Sequence, residues 1–198
     1  MATSWERLAD ITLEEAGDKL DSGTITAKKY LRVEIHTFPT GGTIKEDITF
    51  NNSTGDEYAR RRSNDGATDS ENDEKAMLEV YGDSAQDRYL VMDIINIIDQ
   101  EKLVIGFYNV STVGAGTAPN RSEWVGKWAN TSAQITQIEC DNGEGSGDYA
   151  IGSQMTIWGA DDVDDVPPNL PNGSVFITSD TNIHYMFNSS AGTWNEVA

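Results

Sequence analysis

Cysteine, histidine and basic residues are scarce in this chain of 198 residues. The single cysteine, Cys140, can form no internal disulfide and lacks the companion ligands of a structural zinc site. We expect Cys140, which ends the apolar segment 134–140, to be a small buried side chain rather than a nucleophile. His36 and His184 are far apart and no Gly-x-Ser-x-Gly turn is present, which argues against a Ser-His-Asp hydrolase. Both histidines are predicted to lie on strand surfaces.

Positive charge is also in short supply. Lys and Arg total 14 against 33 Asp and Glu, which gives a formal net charge of -19. Such a surface repels nucleic-acid backbones and anionic membranes, so neither is expected as a partner. The excess of carboxylates favours solubility in saline surroundings, where screening acts over about 8 Å.

Long hydrophobic runs are missing as well. No segment approaches the roughly 20 apolar residues of a membrane span. The first ten residues lack the basic region and apolar core of a secretion signal. We therefore expect neither insertion in a bilayer nor export through such a signal.

Short alternating runs of β-branched and aromatic residues, separated by Gly, Asn, Asp and Ser, dominate the chain and predict strands. In segment 30–36, Leu31, Val33 and Ile35 fall on one face and are expected in the core. The polar segment 58–76 has no apolar stripe and is predicted to be a long surface loop. The fold class expected is all-β, an antiparallel, jelly-roll-like β-sandwich. Further strands are predicted at 43–50, 89–98, 103–110, 134–140 and 154–159, with weaker ones at 6–13 and 21–27.

Changes in composition divide the chain into three segments. Residues 1–160 are predicted to form the β-sandwich domain, and residues 161–173 an acidic, Pro-rich linker. Residues 174–198 hold two alternating runs and a third short piece, which predicts a small C-terminal β-hairpin module. Such a unit is too small to be stable alone, so its aromatic side chains should pack on the main domain or on another subunit. These aromatic residues are Phe176, Tyr185, Phe187 and Trp194.

The order of several short motifs resembles that of β-sandwich structural proteins of phage particles. Residues 51–58, NNSTGDEY, follow the strand 48–50 and look like the Asn-x-Asp-x-Gly-x-x-Tyr pattern of that family. Thr49 stands where the family usually has arginine. The tail 173–197 is similar to a C-terminal module common in proteins of tailed viruses, notably marine ones. The match in the main domain continues through an Ile-Asn strand, a Gly-Lys-Trp, an Ile-Thr-x-Ile strand and a Gly-Ser leading to Trp-Gly, at residues 94–98, 126–128, 135–138 and 151–159.

The resemblance implies a non-enzymatic structural protein of the virion surface, made in the host cytoplasm. It would be a capsid decoration protein, a head fibre or a turret, with a tail component as the second choice. The implied partners are other virion proteins, from capsid or tail, and further copies of the chain in a homo-oligomer, for which a cyclic trimer would be natural. No catalytic residue, cofactor or metal ion is expected. The Asn residues after the strand would form a tight turn, with Tyr58 capping the sheet end.

Two acidic segments are candidate calcium sites, because hard oxygen ligands suit that cation. The spacing Asp-x-Asp-x-Asp-Gly that identifies such loops is missing from the first, so a solvated linker is expected there. Residues 141–148 are expected to form a plain flexible hairpin. The first segment holds Asp161, Asp162, Asp164 and Asp165.

Arginine and aromatic residues supply the remaining candidates. Arg60, Arg61 and Arg62 could dock on an acidic patch of a neighbouring subunit, or could be neutralised locally by the segment 65–74; the sequence leaves both open. Aromatic rings could line a face that binds a host glycan, although core or interface packing is the commoner fate of tryptophan. A polysaccharide hydrolase is a weaker alternative, because carboxylate pairs arise by chance in so acidic a chain. The aromatic candidates are Trp5, Trp124, Trp128, Trp158, Trp194, Tyr108 and Tyr149.

Overall fold

The computed structural model describes residues 4–79, 85–143, 146–162, 171–177, 183–188, 190 and 192–197, and all regular elements within these ranges are β-strands. The named strands pair in antiparallel fashion throughout. The predicted all-β, antiparallel fold is therefore confirmed. Numbered along the chain, the strands are β1 (Glu6–Thr12), β2 (Lys19–Asp21), β3 (Tyr30–Thr37), β4 (Pro39–Thr40), β5 (Asp47–Phe50), β6 (Tyr58–Asn64), β7 (Ser70–Lys75), β8 (Leu78–Glu79), β9 (Arg88–Ile95), β10 (Lys102–Val110), β11 (Asn120–Trp128), β12 (Ile138–Asp141), β13 (Asp148–Tyr149), β14 (Gln154–Ala160), β15 (Val175–Ile177), β16 (His184–Asn188) and β17 (Thr193–Val197).

Backbone contacts divide the chain into two compact units, Ser4–Asp161 and a unit that begins at Asp162. The first unit contains a large sheet of eight strands in the order β1-β14-β3-β9-β10-β11-β6-β7. It also contains a four-stranded sheet, β2-β12-β5-β8, and the short pair β13-β4. The second unit contains one three-stranded sheet, β15-β16-β17.

One apolar core lies between the large sheet and the four-stranded sheet. From β3 it takes Leu31, Val33 and Ile35, which are at most 1% exposed, as their alternation predicts. From β5 it takes Phe50, whose ring centroid lies 5.9 Å from that of Trp128 on β11. Because both sheets bury one face in the same cluster, the unit is sandwich-like. The jelly-roll arrangement stays a prediction.

A buried polar network links the two layers. The carboxylate of Glu46, just before β5, accepts hydrogen bonds from Arg88 Nη1 at 2.6 Å and from the Tyr108 hydroxyl at 2.9 Å. Thr37 Oγ1 donates to its other oxygen at 2.6 Å. All four residues are at most 2% exposed. The network fixes the ends of β9 and β10 to the segment that leads into the smaller sheet.

The turn after β5 has the left-handed backbone that its Asn residues predict. Asn51 and Asn52 have φ values of 53° and 56°. The Asn51 side chain accepts hydrogen bonds from the backbone N–H groups of Thr136 and Gln137 at 2.8 and 3.0 Å. Tyr58 is buried, and its hydroxyl accepts a hydrogen bond from the Phe50 N–H at 2.9 Å. The motif therefore holds the strand end in place, as expected for a folding element.

The prediction of a long surface loop over 58–76 is wrong, because this segment forms the hairpin β6–β7 at one edge of the large sheet. Polarity misled the prediction, since an edge hairpin needs no apolar face of its own. Tyr58 and Arg60 point inward and are buried, whereas Arg61 points outward and pairs with Glu71 across the hairpin. Ladder hydrogen bonds and this cross-strand ion pair replace the missing apolar stripe.

Several other boundaries differ from the sequence prediction. The strand expected at 21–27 is wrong, because β2 ends at Asp21 and residues 22–27 are not in a strand. The strands expected at 43–50 and 134–140 are shortened to β5 and β12. The strand β11 was not predicted, because charged residues alternate along its outer side. Its inner side carries Ser122, Trp124 and Trp128, all at most 3% exposed.

Candidate docking face on the large sheet

Strand β10 exposes apolar side chains on the side of the large sheet that faces away from the core. Residues Leu103, Ile105 and Phe107 are 53%, 58% and 61% exposed. Their neighbours in the sequence point inward, in strict alternation along the strand. Solvated faces of antiparallel sheets are usually polar, so this strand has the opposite of the expected pattern. Burial of these exposed apolar side chains against a partner would be favourable.

Neighbouring strands extend the exposed apolar side chains of β10 into a continuous patch. Ile95 on β9 lies opposite Leu103, and Val125 on β11 lies opposite Ile105. They are 42% and 49% exposed. We call Ile95, Leu103, Ile105, Phe107 and Val125 the apolar patch. Contiguous apolar surface of this kind on a soluble protein usually marks an interaction site.

The patch contains a depression and a projection side by side. The depression has a volume of about 750 Å³, and its apolar lining includes Ile95, Leu103, Ile105 and Trp5. Phe107 lies outside this lining, two residues along β10, and is the most exposed member of the patch. The surface therefore has a wide groove, whose lining also includes charged residues, next to an exposed aromatic side chain.

Ion pairs lie around the patch, and in them the acids outnumber the cations. On one side Arg32 Nη1 lies 3.3 Å from Asp93 Oδ1, and the hydrogen bond from Arg32 to Glu34 raises the pKa of Arg32 above its usual value. The other pairs of this rim join cations of β6 and β11 to nearby acids. An apolar centre with a polar rim is the usual anatomy of a protein–protein interface. These other pairs are Arg61 with Glu71, Arg121 with Glu123, and Lys127 with Glu101.

The buried side of β10 is unusually constrained. A Cβ atom on Gly106 would clash with the indole ring of Trp124, which lies across this position. Lys102 is fully buried, and its Nζ donates hydrogen bonds to the backbone oxygens of Gln100 and Asn130 at 2.6 and 3.0 Å. Burial lowers the pKa of Lys102. Contacts on the core side of β10 therefore fix the position of the strand that carries the patch.

Most of the aromatic residues considered for a sugar-binding face lie in the core. Tyr108, Tyr149, Trp124 and Trp128 are all at most 3% exposed, so they offer no stacking surface. Trp158 and Trp194 are half-buried, in different units. Trp5 is 46% exposed and lines the depression. The prediction that tryptophan serves packing is correct for Trp124 and Trp128.

The arginine cluster is split between two faces of the sheet. Arg60 is 6% exposed and points inward, whereas Arg61 points outward and pairs with Glu71 and, at 3.9 Å, with Asp69. Local neutralisation, one of the two open alternatives, accounts for Arg61.

The candidate acidic segments serve local structure where the structure describes them. Asp161 accepts a hydrogen bond from the Lys29 N–H at 2.9 Å and pairs with Lys28 at 3.0 Å. In the segment 141–148, Asn142 accepts a hydrogen bond from the Lys45 N–H at 2.7 Å. Within the described ranges, no group of three or more His, Cys, Asp or Glu side chains could hold a metal ion. Asp164, Asp165 and Glu144 lie outside the described residues.

Cysteine and histidine positions agree with a structural role. Cys140 is completely buried in the core, and burial raises the pKa of its thiol well above the usual value, as expected for a packing residue. His36 lies on the outer side of β3, with its ring 4.3 Å from that of Phe38. His184 lies on β16 in the other unit and is exposed.

The second unit carries exposed apolar residues of its own. Its aromatic residues gather on one face, where the centroid distances are 6.0 Å from Phe176 to Trp194 and 5.3 Å from Phe187 to Trp194. On the opposite face Val175 and Ile177 are 57% and 50% exposed. A three-stranded sheet with apolar residues on both faces is a further surface that favours burial.

One signal in the sequence could have revealed the patch. Segment 103–108, LVIGFY, is apolar at every position, so it predicts apolar side chains on both faces of its strand. The strand at 103–110 is predicted from this pattern, but the exposure of one of its apolar faces is not. In an antiparallel sheet with a single core, one of those two faces must be exposed.

Comparisons of the chain with protein-family models, with curated proteins and with solved structures found no match. The resemblance to phage structural proteins therefore stays a prediction. In the part of the chain that the structure describes, no helix has the length and apolarity to cross a membrane.

Proposed function

We propose that this protein is a structural component of a virion surface that works by binding copies of itself and neighbouring virion proteins. A capsid decoration protein, head fibre or turret is the first choice and a tail component the second. The apolar patch on the outer face of the large sheet is the observation that carries the binding role. The resemblance of residues 48–58 and 173–197 to phage structural proteins supports the virion setting.

The strength of one such contact can be worked out from exposure. Full burial of a Val, Leu, Ile or Phe side chain stabilises by about 1.5–3 kcal/mol. The five patch residues are 42–61% exposed, so covering all of them contributes about 5 kcal/mol per copy. Association itself costs roughly 4–15 kcal/mol. A single contact is therefore weak, and stable assembly depends on many contacts acting together, as on a repeating particle surface.

Charge limits the strength of such contacts. With a net charge of -19, copies of the chain repel one another wherever their acidic surfaces meet. Ion pairs at the rim of the patch offset part of that acidity, although Arg32 and Arg61 each face two acids. Exposed apolar side chains, rather than charge, therefore favour contacts through this face.

The experiment is quantitative mass spectrometry of purified virus particles from the source of the sequence, with immunogold labelling by antibodies against the purified chain. Hundreds of copies per particle are expected for a capsid component, and a handful for a tail component. Absence of the chain from particles would contradict the proposal. Added Phe107→Glu chain should compete poorly with the resident protein, whereas an Ile151→Glu control, altered at an exposed apolar residue outside the patch, should compete normally.

A further inference from the structure

A second, smaller cleft lies on the outer face of the large sheet, further along β10 than the groove. It has a volume of about 300 Å³. Ligand sites typically measure about 300–1,000 Å³, so this cleft suits a small ligand or the end unit of a larger one. The outward side chains of its lining form two rows across β9, β10 and β11, which are Tyr89–Asn109–Arg121 and Val91–Phe107–Glu123.

Two exposed aromatic side chains lie diagonally across this cleft. Tyr89 is 41% exposed and Phe107 is 61% exposed. The ring of His36 meets that of Tyr89 edge-on, with 6.2 Å between centroids and 89° between planes. His36 itself packs 4.3 Å from the ring of Phe38. Tyr89 is therefore held in place before a ligand arrives, which lowers the entropic cost of binding.

The polar side chains of the cleft offer both donors and acceptors of hydrogen bonds. Arg121 pairs with Glu123, and the side chains of this pair are 53% and 55% exposed. Asn109 lies opposite Arg121 on the neighbouring strand. The guanidinium donates, the carboxylate accepts and the amide does both, while the charges of the ion pair cancel. The matching ligand is uncharged and rich in groups that both donate and accept, as hydroxyl groups do.

We propose that this cleft binds a neutral saccharide. The apolar face of a sugar ring lies against Tyr89 or Phe107, where its C–H groups are buried on an aromatic surface. The hydroxyl groups of the sugar form hydrogen bonds with Asn109 and with the Arg121–Glu123 pair. The inference goes beyond the proposed function, which requires only an apolar contact between proteins.

Other ligands match the cleft less well. An anionic ligand is repelled by a chain of net charge -19. An acyl chain has no groups to replace the water lost by the polar side chains. An extended peptide is commonly bound at a free sheet edge, whereas β9, β10 and β11 are interior strands of the large sheet. A ligand here is recognised through side chains alone.

Phe107 belongs both to the apolar patch and to this cleft. Docking through the patch and binding of a saccharide therefore compete. The saccharide binds those copies of the chain whose outer face is open to solvent.

Affinity electrophoresis of the full chain tests the inference. Native gels contain mannan, dextran, laminarin or galactan as neutral polysaccharides, and a glycan array with neutral and anionic members extends the panel. At least one neutral glycan should bind the chain, and anionic glycans should bind it more weakly. No retardation in any gel together with no signal on the array would overturn the inference, and so would a preference for anionic glycans.

Substitutions locate the binding site. Tyr89→Ala and Phe107→Ala should each weaken binding by about tenfold, because an aromatic surface is lost, whereas Tyr89→Phe keeps the ring and should weaken it less. Ile151→Ala is the matched control, at an exposed apolar residue outside the cleft, and should change binding by less than about twofold. Equal unfolding midpoints will show that the fold is intact. Binding that survives both alanine substitutions in the cleft would overturn the inference.

The remaining outcomes separate this inference from the proposed function. Absence of the chain from virus particles contradicts the proposed function but leaves a Tyr89-dependent saccharide complex standing. A chain that is abundant in particles and binds no glycan overturns the inference alone. If Tyr89 is needed only for contact with another protein, the cleft is part of a protein interface and the inference is wrong.

Discussion

Replacement of Glu46 by glutamine should destabilise the protein strongly. Its carboxylate faces the buried guanidinium of Arg88 at 2.6 Å and also accepts hydrogen bonds from Tyr108 and Thr37. Glutamine keeps the shape and removes the charge. Breaking a buried ion pair by neutralising one partner typically costs 3–5 kcal/mol, because the other charge stays in the interior. Against a total stability of about 5–15 kcal/mol, this is a large loss.

The assay is urea unfolding followed by tryptophan fluorescence, since Trp124 and Trp128 report on the core. Glu71→Gln is the matched control, because the Arg61–Glu71 pair is exposed and such pairs contribute at most about 1 kcal/mol. A cost below about 1 kcal/mol for Glu46→Gln, or one equal to that of the control, would refute the reasoning. The double variant Glu46→Leu with Arg88→Met should be more stable than Glu46→Gln, because no charge is then left buried.

Three further predictions concern the strands of the large sheet. Gly106→Ala should lower the free energy of unfolding by about 1–3 kcal/mol, since the new methyl group meets the indole of Trp124; urea unfolding checks this, and an unchanged midpoint would contradict it. Ile105→Glu should change monomer stability by less than about 1 kcal/mol although it reduces self-association, because its side chain is 58% exposed. Burial raises the pKa of Tyr58 from 10.0 to about 12. The contribution of the neutral, buried hydroxyl to the free energy of unfolding, about 3 kcal/mol, is therefore full below pH 10 and is lost as the pH rises to about 12. Tyr58→Phe should make the fall in stability over this interval shallower, as measured by urea unfolding at each pH, and an unchanged slope would count against the burial of this hydroxyl.

Local patterns in the sequence were enough to predict much of the main unit. The alternation of Leu31, Val33 and Ile35 identified both a strand and its buried face, because side chains two residues apart lie on the same face of a strand. The left-handed turn at Asn51 and the burial of Cys140 followed from residue chemistry. These features depend on neighbours in sequence or on hydrophobicity alone.

The edge hairpin and the docking face could not be predicted in the same way. The polar sequence of segment 58–76 predicts a loop, because the segment is stabilised as strands by pairing with β11, which lies more than fifty residues away in sequence. The apolar patch depends on which side of β10 faces the core, and on that side the indole of Trp124 packs against Gly106. A uniformly apolar strand does not reveal its inner face, so three-dimensional contacts are needed to show which residues are left exposed.

Hydroxyl-radical footprinting of Phe107 is the most direct test of a docking role for the outer face. Oxidation of Phe107 and Leu103 should fall sharply when the protein is concentrated or assembled on particles, whereas oxidation of Ile151 should stay constant. Equal oxidation of Phe107 in dilute, concentrated and particle-bound protein would show that this face stays open to solvent, and would contradict the account.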